Sequence, residues 1–333
     1  MNTRTPRPTA RLLARLSRAL RRHLPAAIAG ENTGVHQARV TSRRLREAVP
    51  VLSIGLKGSK AGKATRKIRR LTRALGTVRE LDVTLSLLDE LASAPDVPRT
   101  AVEDVRACVV REREARRGIM LKRLARVDAD KIGRRLGSVG TALETATAEP
   151  WRRALGRRLL QRSKRLLGAM DAAGQMYSPE RLHEVRIAAK KLRYGLELAS
   201  DSGVTLAAAH VRTIKRVQDA LGKLHDLQVL QTHIAAAQIT GESARPEPRA
   251  ALEVLAAHVE AQCRHLHAKY LQSSTALREV PAAVRKGVVP QLVQLPRSRR
   301  LVKMALPRGT AARGVRGGVR AKGSPAAAGR NGR

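Results

Sequence analysis

Apolar residues recur three or four positions apart along most of the chain, as at Leu12, Leu13, Leu16 and Leu20, and no segment alternates with the period of a strand. The pattern predicts an all-α fold. Turn-forming clusters interrupt it near Gly30 to Gly34, Gly55 to Gly62, Ala94 to Pro98, Ala148 to Pro150, Gly174 to Pro179, Asp201 to Gly203 and Gly241 to Pro248, and so delimit about eight helices. Ser178 followed by Pro179 and Glu180 is a good helix start, with serine as N-cap and proline at the first helical position. From Pro296 the periodicity disappears into Gly, Pro, Ala and Arg without an acidic residue, so 296–333 is expected to be a disordered basic tail.

The helical pattern contains a repeat. Val35 to Leu52 (VHQARVTSRRLREAVPVL) aligns without a gap to Leu182 to Ala199 (LHEVRIAAKKLRYGLELA), 147 positions on. His36 falls opposite His183, Arg39 opposite Arg186, Arg43 opposite Lys190, Arg44 opposite Lys191 and Arg46 opposite Arg193. A second pair follows at an offset of 146, Arg66 to Val83 against Arg212 to Val229. There Arg66 matches Arg212, Arg69 matches Lys215, Arg70 matches Arg216, Gly76 matches Gly222, Arg79 meets His225 and Glu80 meets Asp226. Asp219 replaces a base opposite Arg73. A glycine inside a helical pattern costs about 1 kcal/mol relative to alanine, so a bend or a close helix approach is expected at Gly76 and Gly222.

At about 100° per residue, Val35, Ala38, Ser42, Leu45, Val49 and Leu52 form one seam suited to packing, and Leu182, Val185, Ala189, Leu192 and Leu196 form its counterpart. His36, Arg39, Arg43 and Arg46 fall on another face, as do His183, Arg186, Lys190 and Arg193. Each helix therefore presents a column of cations about one turn apart. Such a column ordinarily means a solvated face. Here, however, only Glu47 and Glu184 lie near enough to balance it, and Val40 and Ile187 also project from the basic side, as if it faced protein as well as ligand.

Composition sharpens the picture. The chain has 66 Lys and Arg against 27 Asp and Glu, a formal charge of +39, and a polyanionic partner is expected to offset the resulting self-repulsion. Nucleic acid, an anionic membrane and polyphosphate all satisfy charge alone. With no Phe, one Trp and three Tyr in 333 residues, a surface that stacks bases is disfavoured. No stretch approaches the ~20 apolar residues of a membrane span. Cys108 and Cys263 are the only cysteines and have no partners at ligand spacing, which fits a reducing cytoplasm without disulfides or structural zinc. The basic stretch Arg11 to Arg22 superficially resembles a mitochondrial presequence but is read as the first helix of the fold.

The paired HxxRVxxRRLR and HxxRIxxKKLRY segments, each followed by ALGxxxxL, resemble the CHAD domain, the conserved histidine α-helical domain, over residues 8–290. The resemblance implies two pseudo-twofold-related four-helix bundles, repeats of about 8–147 and 150–290, around a basic central groove. It also implies binding of inorganic polyphosphate and association with polyphosphate granules. Carried over residue by residue, the binding set is His36, Arg39, Arg43, Arg44, Arg46, His183, Arg186, Lys190, Lys191 and Arg193. Arg66, Arg69, Arg70, Arg73, Arg212, Lys215, Arg216 and Lys223 form a secondary set.

The other histidines, His23, His210, His233, His258, His265 and His267, are read as structural. An enzyme needs a nucleophile or metal-holding carboxylates beside the phosphate donors, and the sequence shows neither these nor a GxxxxGK(S/T) loop. Glu112, Glu114 and Arg116 resemble the ExExK motif of triphosphatases fused to some family members only superficially, since the pattern around them is helical. The expectation is a binding protein with no catalytic residue, metal or cofactor. Nucleic-acid binding, in part through the tail, is the alternative.

Overall fold

The computed structural model describes residues 7–57, 60–76, 78–239 and 246–294. The tail expected at 296–333 lies outside them. All described elements are helical: α1 (Pro8–Ile28), α2 (Asn32–Leu52), α3 (Ala61–Ala74), α4 (Arg79–Leu91), α5 (Arg99–Leu124), α6 (Ala129–Thr145), α7 (Glu149–Ala173), α8 (Pro179–Asp201), α9 (Thr205–Ile239), α10 (Pro246–Ala283), a π-helical turn at Val284–Val288 and α11 (Val289–Gln294). The breaks expected from glycine and proline occur among the described residues, while the one expected at Gly241 to Pro248 lies largely outside them. Two more appear in the first half, between α3 and α4 and between α5 and α6.

Those two breaks have local causes. Gly76 lies in the first, where its carbonyl accepts a hydrogen bond from the Arg39 guanidinium at 3.4 Å. Asp128 caps α6 in the second, its carboxylate accepting the Lys131 N–H at 2.7 Å. Gly222, the counterpart of Gly76, lies instead inside α9 with no neighbour near its Cα face. Close approach therefore explains Gly76 and leaves Gly222 without a structural reason. The π-helical turn precedes Pro290, whose missing N–H and ring disrupt regular α-helical bonding one turn back.

Helix order follows the repeat: α1 and α7, then α2 and α8, open the two halves, and the long α9 stands where α3 and α4 stand in the first. The main core joins α1, α2, α3, the end of α5, α6, α7, α8, the first part of α9 and the C-terminal part of α10 with α11. A second core joins α4 and the first part of α5 to the second part of α9 and the first part of α10. The long helices thus serve both cores. Both halves also contribute to each core, an exchange that the picture of two separate bundles does not contain. Ser178 caps α8 as expected, its hydroxyl accepting the Arg181 N–H at 3.5 Å.

Gly34 fixes the α1–α2 corner, because an added Cβ would sit 2.6 Å from the Ala26 Cβ and 2.7 Å from backbone atoms of Ala26 and Ala27. Gly34→Ala should cost about 1–3 kcal/mol through forced backbone displacement. Gly222→Ala has open space and should stabilise by about 0.5–1 kcal/mol through helix propensity. Chemical denaturation of the two variants should therefore move the midpoint in opposite directions.

Candidate polyanion site

The site starts from the two packed seams. Val35, Ala38, Ser42, Leu45, Val49 and Leu52 on α2, and Leu182, Val185, Ala189, Leu192 and Leu196 on α8, are all buried. Burying these seams fixes the rotation of both helices, and so the direction of the basic faces. Glu47 of α2 locks the arrangement further, accepting hydrogen bonds from Arg162 of α7 at 2.6 and 2.9 Å with Arg158 3.4 Å away. Arg162 also donates to the Lys191 carbonyl at 2.6 Å, tying α7 to α8.

His36, Arg39 and Arg43 of α2 come into one electrostatic neighbourhood with His183, Arg186, Lys190 and Arg193 of α8. The convergence is visible in their protonation. Burial, followed by repulsion from Arg43, Arg186, Arg39 and Arg193, pulls the Lys190 ammonium down to about 7. Burial, and after it the neighbouring Arg43, brings Arg39 down to about 10; Tyr194 opposes the shift, Arg79 adds to it and Glu80 opposes it least. Arg186 is lowered chiefly by burial, with Asp226 opposing the shift and Arg43 adding to it.

Four members of the site were not among the candidates from sequence: Arg79 and Glu80 at the start of α4, and His225 and Asp226 in α9. The His183 and His225 rings lie 4.6 Å apart with their Nδ1 atoms at 3.2 Å, so one Nδ1–H donates and the other nitrogen accepts. Burial, with Arg186, His183 and Lys190 nearby, brings His225 down to about 4. His36 stands in the equivalent relation to Arg79, which lowers it after burial. Burial raises the Asp226 carboxyl, and the surrounding Arg186, Arg79 and Lys190 only partly reverse this. The alignment of Arg79 with His225 and of Glu80 with Asp226 is the signal that locates this second layer.

Other candidates point elsewhere. Arg44 approaches Glu197 at 3.9 Å, beside Leu12, Tyr194 and Asp201. Lys191 faces a groove shared with Arg162, Arg165 and Ile187, and Arg46 is exposed. Arg193 is held by Gln218 at 2.6 Å and by Glu197. In the secondary set, Lys223 pairs with Glu90 at 3.1 Å, Arg69 lies within electrostatic range of Arg158, and Arg66, Arg212, Lys215 and Arg216 are exposed. Arg70 and Arg73 line a different cleft. Val40, expected to face protein, is 37% exposed, whereas Ile187 is partly covered. His267, read as structural, is buried between Tyr177 and Tyr270. Among the described residues, no three His, Cys, Asp or Glu side chains gather closely enough to hold a metal ion.

The site is therefore a cluster of half-buried cations whose mutual repulsion opposes folding. An unfolded lysine binds its proton up to about pH 10.4, while Lys190 in the fold releases it near 7. The destabilisation is complete below pH 7 and fades as pH rises towards 10, because there the unfolded chain binds the extra proton. Lys190→Met should accordingly raise Tm at pH 6 by roughly 2–4 °C, the shift expected from ~1 kcal/mol in a chain of this size. The gain should shrink when the melts are repeated at pH 9.5.

Comparison with known proteins places this arrangement. The fold is similar to the crystal structure of the CHAD domain from the plant Ricinus communis, with a TM-score of 0.54 and 22% identity over 84% of this chain and 91% of that one. It is also similar to PptA from Streptomyces chartreusis, with a TM-score of 0.56 and 16% identity over 80% of this chain and 98% of that one. At such identities the likeness shows the fold alone. No curated protein matches the sequence. The profile of the CHAD domain matches residues 11–235, which include both basic columns and both His-containing pairs. The chain belongs to the CHAD domain family.

Proposed function

We propose that the chain binds inorganic polyphosphate along the α2–α8 cluster and performs no chemistry on it. The observation that carries this reading is the convergence of Arg39, Arg43, Arg79, Arg186 and Lys190, with only Glu80 and Asp226 to offset them inside the cluster and Arg193, paired with Glu197, at its edge. A flexible chain of phosphates supplies the missing negative charge at a spacing that a helical column can follow, one helical turn rising about 5.4 Å. Neutral histidines beside it donate single hydrogen bonds to phosphate oxygens, and nearby phosphates favour their protonated form. Polyphosphate binding is also what family membership implies. Association with polyphosphate granules in the cytoplasm follows if the array acts multivalently.

Binding of nucleic acid draws on the same charge but lacks a stacking surface. Trp151 and Tyr270 are buried, and Tyr177 and Tyr194 are partly so. Catalysis is not part of the proposal, because the two carboxylates in the cluster lie among arginines instead of forming a metal site or flanking a nucleophile.

About five neutralised phosphates give an expected slope of log affinity against log salt near −3.5, at about 0.7 per phosphate for a single-stranded polyanion. Arg39→Ala with Arg186→Ala removes charge-assisted bonds worth about 1.5–3 kcal/mol each, partly offset by relief of repulsion on Lys190. Polyphosphate affinity should fall at least about tenfold, and the salt slope by about 1.4. Arg249→Ala with Arg264→Ala, exposed on α10, is the matched control. Equal losses in titrations of the two variants would assign binding to bulk charge and defeat the site.

Incubation of the purified protein with polyphosphate or nucleoside triphosphate, with Mg²⁺ or Mn²⁺ supplied, should release no phosphate above background. Release that scales with protein and disappears in the Arg39→Ala, Arg186→Ala variant would make the chain an enzyme.

A further inference from the structure

Beyond the central cluster, a cleft of about 410 Å³ opens where α3, the end of α5 and the start of α6 meet. Lys67, Arg70, Arg73, Arg123 and Arg126 line it above a floor of Ala74, Val127 and Ile132. Asp128 is the sole acid in the lining, and its carboxylate is already engaged by the Lys131 N–H at the start of α6. None of the five cations forms an ion pair with a carboxylate among the described residues. On α3, Lys67 and Arg70 lie about 60° apart on the cleft side, with Arg73 about a further 60° round towards Arg69, which lies near Arg158 of α7. The lining of the cleft shares no residue with the central cluster, and none of its cations is among the groups that shift Lys190, Arg39 or Arg186.

The corresponding positions of the second half do not repeat this lining. At the repeat positions Thr213 stands for Lys67 and Asp219 for Arg73, and α10 runs unbroken where α5 ends and α6 begins. The cleft thus depends on a break and on two bases that belong to the first half alone. General basicity does not explain that coincidence, since the second copy is basic as well. A half-open cleft lined by five cations suits a compact ligand of about three phosphates, and the apolar floor can also take the flat face of a base.

We propose that this cleft is a second anion site that binds a triphosphate group, separate from the array for the long polymer. Inorganic tripolyphosphate and ATP both carry that group, and titrating each without metal distinguishes the sources. ATP binding more tightly assigns the floor to a nucleoside, while equal binding or a preference for tripolyphosphate assigns the site to the phosphates alone.

The test uses the full chain and two double variants, with folding checked by circular dichroism. Arg70 and Arg123 are exposed, so Arg70→Ala with Arg123→Ala is expected to fold normally. It should weaken tripolyphosphate binding at least tenfold and leave long-chain polyphosphate within threefold of the parent. Arg39→Ala with Arg186→Ala should show the reverse pattern, and Arg70→Lys with Arg123→Lys should recover most of the lost affinity. Unchanged tripolyphosphate binding in the cleft variant, or parallel loss of both ligands in both variants, would overturn the second site. Loss of long-chain binding alone in that variant would overturn it too, by making the cleft part of the central array.

Discussion

Everything in the central site depends on holding like charges close together against their repulsion. The buried seams of α2 and α8 supply that force, since apolar residues such as Leu45 and Leu192 are fully buried and each contributes about 1.5–3 kcal/mol. The ion pairs of Glu47 with Arg158 and Arg162, and of Glu197 with Arg193 and Arg44, fasten the same helices to α7 and to each other. These acids secure the scaffold and leave the cluster itself underneutralised. Packing therefore stores electrostatic strain that a polyanion can release, and binding and stability are coupled through the same few side chains.

The fold also divides unlike tasks between its halves. In the second, α9 and α10 run 35 and 38 residues and knit the two cores together. In the first, the corresponding stretches break near Gly76 and Asp128, and these breaks have consequences: one brings the Gly76 carbonyl to Arg39, and the other forms the edge of the α3–α6 cleft. A repeated sequence has thus yielded helices of different continuity, with chemically different surfaces.

Periodicity revealed the all-helical class, the buried seams and the column residues that meet, because one helix face must be apolar wherever it packs. It did not reveal which bases lie together in space. Arg44 and Lys191 occupy adjacent repeat positions to Arg43 and Lys190, yet about 100° of rotation sends them to other surfaces. Arg79, Glu80, His225 and Asp226 reach the site from another pair of segments, a juxtaposition set by helix packing rather than by spacing along the chain. The α3–α4 break was hidden because Gly76 and Gly222 share a motif, and only tertiary contacts distinguish them. The α5–α6 break at Asp128 carries no glycine or proline to mark it in the sequence.

If the cluster is a polyanion site, the proton missing from Lys190 must return when phosphates arrive. Calorimetric titration with polyphosphate at pH 8, in buffers of different ionisation enthalpy, measures this directly. With Lys190 at about 7 in the free protein, binding should take up about one proton, and Lys190→Met should abolish most of that uptake while remaining folded. Tight binding with no proton uptake would show that polyphosphate is held elsewhere, and would contradict the account.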